Sequence, residues 1–199
     1  MSTSNAAKST RDAILDAAVR LLADRGAGVT LEQVAEEAGV SRQTVYVHFG
    51  SRTGLLIAMV QHMDESGVLH GLVQRVFDAR TALDALDAVV NVHAEYHPMA
   101  YPVARIFMAS RHEDEAIGAA WDERMASRRN LYHGVVEWLH RDGLLSPDWD
   151  IESATDVLWG LTSWQLWEEL VVDRGWSKED YLRHLRTVLR KTLVGDDGH

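Results

Sequence analysis

Three consecutive polar residues, Arg42, Gln43 and Thr44, stand where the sequence predicts the start of a short helix. Ser41 before them is a preferred N-cap residue, and Gly50 suits a helix C-terminus. An arginine can donate two hydrogen bonds to guanine, a glutamine can pair with adenine, and a threonine can meet a base edge or a thymine methyl group. At the leading end of an exposed helix, these side chains have the chemistry of base contacts in the DNA major groove.

The rest of this segment divides into buried and outward-facing positions. Apolar or small residues, including Val34, Ala35, Val45 and Phe49, recur at spacings that bury them between helices. The expected base-contacting residues on the outer side are Arg42, Gln43, Thr44, Tyr46 and Val47. Exposed N–H groups at helix N-termini and basic or imidazole side chains suit phosphates. The expected phosphate-contacting residues are Thr30, Ser41, His48 and Arg52.

The preceding sequence supplies the helices that must position these side chains. Thr30 begins one short helix with Gln33 at the capping-box position, and Gly39 supplies the turn before Ser41. A longer amphipathic helix begins after Ser9 and ends at Gly26. Two short capped helices joined by a Gly-Val-Ser turn are typical of a helix-turn-helix.

Residues 29–56, VTLEQVAEEAGVSRQTVYVHFGSRTGLL, closely resemble the DNA-binding domain of the tetracycline-repressor (TetR) family. The matching features are Thr30, Val34-Ala35, Ala38-Gly39-Val40-Ser41, Tyr46-x-His48-Phe49, and Arg52 ahead of Leu55-Leu56. The resemblance covers residues 9–57 and implies that the tyrosine, the histidine and the basic residue anchor the DNA backbone. The Leu-Trp-Gly-Leu-Thr-Ser and Arg-Gly-Trp-Ser phrases resemble C-terminal regions of actinobacterial members.

Three positions depart from the family pattern. The family usually has lysine where this chain has Arg52, which keeps the charge. It usually has polar, often acidic, residues where this chain has Thr53-Gly54. On helix propensity alone, Gly54 weakens the start of its helix by about 1 kcal/mol relative to alanine.

The predicted fold is all-α, with about nine helices. A three-helix helix-turn-helix DNA-binding domain spans residues 1–57, and a larger ligand-binding and dimerisation domain spans residues 58–199. Few prolines and many helix-favouring residues support this class. The predicted helices after residue 51 cover 52–79, 82–97, 101–111, 114–141, 151–173 and 178–193, with a break at the Pro98/Pro102 pair.

Composition limits the other possibilities. The net charge is −10, yet residues 1–60 carry six basic and six acidic side chains, so the acidity lies in the rest of the chain. The absence of cysteine excludes disulfides and thiol nucleophiles. Met1–Lys8 is polar and Leu55–Val60 is too short to cross a bilayer, so we expect a cytoplasmic protein without membrane contact. No phosphate-loop, esterase or zinc-protease motif is present, so we expect no enzyme, catalytic residue or cofactor.

The resemblance also implies a homodimer. In the family, the last two helices usually pair with their symmetry mates in a four-helix bundle, which places the interface within residues 151–194. A purely intramolecular core is the alternative. The expected interface residues are Leu158, Leu161, Trp164, Leu182, Leu185 and Leu189.

Aromatic residues, methionines and histidines between residues 89 and 138 suggest an apolar small-molecule pocket, in keeping with the resemblance. Plain core packing is the alternative. His93 and His97 are four residues apart and can face one metal, but no third ligand is evident, so we expect no metal site. The candidate pocket residues are His93, Tyr96, His97, Phe107, Met108, Trp121, Met125 and Trp138.

The leading hypothesis is a repressor that a small apolar or aromatic effector releases from a palindromic DNA operator. A DNA-binding regulator that answers to a protein partner or to its own concentration is the second hypothesis. A helical enzyme or carrier with a vestigial N-terminal domain is the third. A helical hairpin without any DNA role is the remaining alternative.

Overall fold

The computed structural model describes residues 9–65 and 67–195, apart from the side chain of Ala27. It confirms the predicted all-α class, and an isolated bridge between Leu145 and Val194 is the one extended pairing within these ranges. The helices are α1 (Thr10–Arg25), α2 (Leu31–Glu37), α3 (Arg42–Phe49), α4 (Arg52–Glu65), α5 (Val68–Phe77), α6 (Ala82–Ser110), α7 (Glu115–Arg141), α8 (Ile151–Leu161), α9 (Trp164–Trp167) and α10 (Lys178–Leu193). Glu168–Asp173 continues α9 as a π-helix.

Side-chain caps fix the starts of the first three helices as the sequence predicts. The Ser9 hydroxyl accepts a hydrogen bond from the Asp12 amide at 3.1 Å. At α2, the Gln33 amide donates to the Thr30 hydroxyl at 3.3 Å, and the Thr30 amide donates to the Gln33 side chain at 2.9 Å. This reciprocal pair is the capping box, which satisfies otherwise unpaired amides at the helix N-terminus.

The predicted break at Pro98 and Pro102 is wrong, because α6 runs continuously from Ala82 to Ser110. Neither proline can donate a backbone hydrogen bond, and an interior proline costs a helix about 3 kcal/mol. Burial of residues on both sides of the pair compensates, since Ala94, Ala100 and Val103 lie in the core.

Two other predicted helices are each divided in the structure. The single helix predicted at 52–79 is two helices in the structure: α4 ends at Glu65, and α5 begins after Gly67, which has a φ of 78°. That left-handed conformation is easy only for a residue without a Cβ atom. The helix predicted at 151–173 is also divided, because α8 ends before Thr162. Ser163 then caps α9 by accepting a hydrogen bond from the Leu166 amide at 3.2 Å.

The described chain forms two compact units that do not follow chain order. The first unit contains α1 to α4 together with Pro102–Ala120, and its core includes Ile14, Val34, Val45 and Leu55. The second contains Gly67–Tyr101 and the residues from Trp121 onward, with a core on Val89, Tyr132, Leu139, Leu158 and Leu189. The predicted domain limits, 1–57 and 58–199, stay a prediction. None of the described helices has the length and apolar character needed to cross a membrane.

Candidate nucleic-acid interface and a buried polar cluster

The outer face of α3 carries the predicted base-contacting residues. Arg42 and Gln43 are exposed, Thr44 is half-buried, and Val45 on the opposite side is fully buried. Tyr46 is 57% exposed and Val47 is 73% exposed, although both could gain free energy by burial. Four of these five side chains are therefore exposed on one face of α3, where another molecule can reach them.

The start of α3 is fixed by Ser41. The Thr44 amide donates to the Ser41 hydroxyl oxygen at 3.0 Å, and the two hydroxyl oxygens lie 2.8 Å apart. Capping of this kind typically stabilises a helix by about 1 kcal/mol. Because the hydroxyl of Thr44 is already engaged, its methyl group is the part best placed for an apolar contact.

Arg42 forms an ion pair with Glu32 of α2, with Nη1 to Oε1 at 2.8 Å. Both side chains are largely exposed, so the pair contributes little to stability. Glu32's own backbone amide is the main cause of its lowered pKa, and the charge of Arg42 adds to the effect. Arg42 therefore lies at the surface with its guanidinium held over the helix-turn-helix.

The predicted phosphate-contacting residues surround this face in the same unit. Thr30 and Ser41 begin α2 and α3, with their hydroxyl oxygens engaged in capping. His48 is exposed in the last turn of α3, and Arg52 is exposed at the first position of α4. The structure thus brings all four into the unit that carries the base-contacting residues.

Gly54 has a steric role that the sequence did not reveal. A Cβ atom at this position would lie 2.1 Å from the backbone oxygen of Phe49, far inside van der Waals contact. The chain therefore needs glycine where α4 begins to pass close to the end of α3. The predicted weakening of α4 by Gly54 rests on helix propensity alone, and this close approach acts in the opposite direction.

Thr53 connects α4 to the start of α7 within the first unit. Its hydroxyl donates to Asp114 Oδ2 at 2.6 Å, and the other carboxylate oxygen accepts from the amides of Ala116 and Ile117 at 3.0 and 3.1 Å. The Thr53 hydrogen bond is the main cause of the lowered pKa of Asp114, and the two amides add to it. One carboxylate thus caps α7 and holds the first turn of α4.

The predicted pocket residues do not lie in one unit. Phe107 is buried and Met108 is half-buried in the first unit. The second unit holds buried His93, His97 and Trp121, and half-buried Tyr96, Met125 and Trp138. The structure brings the two histidines into contact with each other, and the rings of His97 and Tyr96 both lie against Trp164. As a single set, the predicted pocket stays a prediction.

His93 and His97 form the centre of a buried polar cluster. His93 Nδ1 lies 2.8 Å from His97 Nε2, and His93 Nε2 hydrogen-bonds the hydroxyl of Tyr132, to which Thr162 also donates at 3.3 Å. His97 stacks on Trp164 with ring centroids 3.7 Å apart. Burial lowers the pKa of both histidines well below the usual value, which keeps them neutral. No group of three potential metal ligands occurs among the described residues.

Arg128 and Tyr181 extend this cluster, and sequence analysis missed both. The Arg128 Nη2 atom donates to the backbone oxygen of Trp159 at 2.8 Å, while Nε and Nη1 are buried and no described residue accepts from them. The Tyr181 hydroxyl is also buried, with no hydrogen-bond partner in the described part of the chain. Burial lowers the pKa of Arg128 and raises that of Tyr181. Both residues occupy ordinary helical positions, so their convergence is visible only in three dimensions.

Most of the predicted dimer-interface residues are covered by their own chain, and the interface itself stays a prediction. Leu158 and Leu189 are fully buried, and Leu185 and Trp164 nearly so, all within the second unit. Leu161 and Leu182 remain half-buried. These side chains fill the intramolecular core, so a partner would meet other positions of α8 and α10, such as Val188, which is 45% exposed.

Comparison with known proteins agrees with the geometry of the first unit. Residues 14–59 match the family described as "Bacterial regulatory proteins, tetR family". The chain is 30% identical over 159 residues to the HTH-type transcriptional repressor LfrR of Mycolicibacterium smegmatis, covering 79% of this chain and 78% of that protein.

Two solved structures share the fold. A transcriptional regulator from Saccharomonospora viridis, in complex with choline, has a TM-score of 0.82 at 20% identity and covers 92% of this chain and 97% of that one. FadR from Bacillus subtilis, in complex with stearoyl-CoA, has a TM-score of 0.70 at 19% identity and covers 89% and 94%. All three of these relatives are described as transcriptional regulators or repressors. Together with the exposed helix α3, these matches show that the chain is a DNA-binding transcriptional regulator of the TetR family.

Proposed function

We propose that this protein represses transcription as a homodimer on a palindromic DNA site and that a small-molecule effector releases it. The exposed outer face of α3 is the observation that carries the proposal. Arg42, Gln43 and Tyr46 present hydrogen-bonding groups there, beside an exposed Val47 that suits a thymine methyl group. Because these side chains are exposed, packing of the core does not explain why they have these types.

The roles of the individual side chains follow from their positions. Arg42 and Gln43, at the leading end of α3, are placed to contact guanine and adenine, with Thr44, Tyr46 and Val47 completing the base-contacting face. Thr30, Ser41, His48 and Arg52 lie around that face and contact phosphates, which orients the helix in the groove. Phosphate contacts supply affinity for any sequence, and base contacts supply the preference for one sequence.

A dimer follows from the same geometry. One short helix reads only a few base pairs, so two copies related by a twofold axis are needed to read successive major grooves, about 34–36 Å apart. We place the contact between copies on the surface of α8 and α10 left open by the intramolecular core, with Val188 near its centre and half-buried Leu161 and Leu182 beside it. A twofold dimer of this kind predicts two half-sites in inverted orientation.

The second unit is the proposed effector-binding part. The relatives solved with choline and stearoyl-CoA show that this fold takes small molecules of very different charge, so the effector of this chain must be inferred from its own residues. The buried polar cluster around His97 and Arg128 is the region whose chemistry exceeds what a core needs.

The path from effector to DNA runs through helices shared by both units. Helices α6 and α7 pass from one unit into the other, and the start of α7 is tied to α4 through the hydrogen bond from Thr53 to Asp114. An effector that prefers one arrangement of these helices shifts the population toward it. We expect Thr53→Val to keep operator affinity within about twofold and to raise the effector concentration needed for release, measured by fluorescence anisotropy of labelled operator.

Footprinting on the DNA upstream of its own gene and of neighbouring genes tests the proposal. Protection of an inverted repeat, with half-site centres one helical turn or a whole multiple of it apart, is the expected result. Uniform weak protection that competitor DNA of random sequence removes would contradict it, because that pattern reflects phosphate contacts alone.

A further inference from the structure

We propose that Arg128 and Tyr181 form the binding site for the carboxylate of an organic acid with an aromatic or apolar body. This inference deepens the proposed function, because it names the chemical class of the effector. It rests on the unsatisfied donors of the second unit and on the aromatic side chains around them.

The guanidinium of Arg128 has buried hydrogen-bond donors that the described residues leave unsatisfied. One of its nitrogens donates to the Trp159 backbone oxygen, but Nε and Nη1 are buried with N–H groups that no described residue accepts. A buried charge without a partner is strongly disfavoured, and native proteins usually pair it with an opposite charge. The arginine is therefore set to receive an anion.

The neighbouring acidic residues do not supply that anion. Glu152 and Asp156 both bind Arg129, the next residue along α7, at 2.8 and 2.9 Å. Glu168 accepts the hydroxyl hydrogen of Tyr101. Among the described residues, Arg128 is left with one carbonyl oxygen and two aromatic rings.

A second donor lies in the same cluster. The Tyr181 side chain is fully buried, its hydroxyl has no partner among the described residues, and the charge of Arg128 influences its pKa. Its ring packs edge-on against Trp167 at 4.9 Å, and Trp167 packs against His97 at 5.5 Å. The Nδ1 atom of His97 is likewise buried, and no residue within 9–65 or 67–195 pairs with it. A carboxylate has enough acceptor sites to serve several such donors together.

The aromatic side chains around Arg128 and His97 indicate what the uncharged part of the ligand is. The Arg128 guanidinium lies 4.8 Å from the centre of the Trp159 ring and 5.5 Å from that of Tyr132. Trp164 stacks on His97 on another side. Aromatic walls with a few polar donors favour a flat or apolar molecule that carries one anionic group.

Three probes of the same size and different charge test this inference: 3-phenylpropionate, 3-phenylpropionamide and 3-phenylpropylammonium. Binding to the full chain is measured by calorimetry and by the shift of the thermal unfolding midpoint, at constant salt and in buffer free of phosphate. We expect the carboxylate to bind at least tenfold more tightly than the amide, because hydrogen bonds to a buried charge are stronger than neutral ones. We expect the ammonium to bind least.

The chain offers a matched control in Arg129, which is half-buried and already paired with two carboxylates. We expect Arg128→Gln to lose at least tenfold in carboxylate affinity, Tyr181→Phe to lose several-fold, and Arg129→Gln to bind like the wild type. Arg128→Met serves as the folding check, since an apolar replacement of an unpaired buried charge leaves the ligand-free protein as stable as the wild type or more so.

Equal binding of the carboxylate and the amide would overturn the inference, as would full binding by Arg128→Gln. Failure of both Arg128 variants to fold would assign Arg128 a purely structural role and overturn it too. An equal thermal shift from inorganic phosphate or acetate would assign the site to a small anion instead of an organic acid. Carboxylate binding without sequence-specific DNA binding would contradict only the proposed function, and operator binding insensitive to all three probes would contradict only this inference.

Discussion

The two units place their polar side chains in opposite ways. The first unit presents Arg42, Gln43 and Tyr46 at its surface, and its backbone turns are fixed by short-range caps at Thr30 and Ser41. The second unit buries its polar groups in a cluster drawn from α6, α7, α9, α10 and the turn after α8. An exposed face can meet a large, flat and charged partner, whereas a buried cluster can select only a small one.

The polar side chains of the two units therefore differ in their effect on the free energy of folding. Exposed side chains on α3 cost the fold almost nothing, so their identity can change with little loss of stability. Buried histidines, tyrosines and an arginine cost free energy whenever their hydrogen-bonding groups are unsatisfied. The predictions below separate the units by perturbing one while leaving the other unchanged.

Lowering the pH is expected to have the largest effect, and it acts on the second unit. Burial lowers the pKa of His93 and His97 in the folded state, whereas the unfolded chain takes up protons near the ordinary value of 6.5. The unfolded state therefore binds more protons as the pH falls below 6.5, and stability falls with it. Between pH 7.5 and 5.5, we expect the free energy of unfolding to drop by about 2–3 kcal/mol for the two groups, measured by urea titration.

A histidine variant assigns this pH dependence to the cluster. His97→Gln should remove about half of the drop, because one of the two titrating groups is gone. The exposed His140 on α7 provides the control, and His140→Gln should leave the drop unchanged. Carboxyl groups with lowered pKa values, such as Asp114 and Asp150, act at lower pH and leave this window to the histidines. An equal drop in all three proteins would contradict the assignment.

Gly54→Ala acts on the first unit and should destabilise it by about 2–3 kcal/mol, because the new methyl group collides with backbone that cannot rotate away. Gly71 in α5 is the matched control, since a Cβ atom there meets nothing within 4 Å. Gly71→Ala should stabilise the protein by about 0.5–1 kcal/mol through helix propensity. Thermal and urea unfolding of both variants measure the difference, and stabilisation by Gly54→Ala would show that the close approach to Phe49 relaxes at no cost.

Removing the Tyr132 hydroxyl should cost about 1–3 kcal/mol, because His93 then loses a buried partner. The Tyr181 hydroxyl has no partner among the described residues, so Tyr181→Phe should be neutral or slightly stabilising without ligand. The two tyrosines are equally buried, which makes the pair a direct measure of hydrogen bonding. Equal destabilisation by both phenylalanine variants, in urea titrations, would mean that Tyr181 has a partner of equal strength.

These expectations show where sequence analysis succeeds and where it stops. The helix-turn-helix could be predicted because its information is local: Thr30 with Gln33, Ser41 with Thr44 and a glycine in the turn are all within a few residues of each other. The continuity of α6 through Pro98 could not, because burial of its flanks outweighs the lost hydrogen bonds.

The buried polar cluster around His93 and His97 could not be predicted from the sequence either, because its residues come from distant parts of the chain. The spacing of His93 and His97 predicted that both side chains could face one metal, and in the structure their ring nitrogens lie 2.8 Å apart. Arg128 comes to this region from α7 and Tyr181 from α10, and no sequence periodicity links those helices to α6. The burial of Leu158 and Leu189 by their own chain was equally hidden, because an apolar face looks the same in the sequence whether its own chain or a partner covers it.

The smallest effect is expected from Glu32→Gln, a change in the first unit. Glu32 holds Arg42 in an exposed ion pair that must open before Arg42 contacts a base. Glu32→Gln removes that competition and one negative charge near the DNA, so operator affinity should rise by about two- to fivefold at low salt. Glu36→Gln, at another exposed position of α2, is the control for charge alone. Equal gains from both variants would mean that the ion pair itself does not restrain Arg42.

The base-contacting role of α3 is tested most directly by comparing Arg42→Ala with Arg52→Ala on the footprinted operator and its single-base variants, across a range of salt concentrations. The expected loss for Arg42→Ala is about 1–3 kcal/mol of binding free energy, with relaxed preference at one base position. Arg52→Ala should weaken binding to every sequence alike and reduce the salt dependence by about one phosphate contact. If the two variants lose affinity identically on all sequences, or if Arg42→Ala keeps full discrimination, α3 does not read the bases through Arg42.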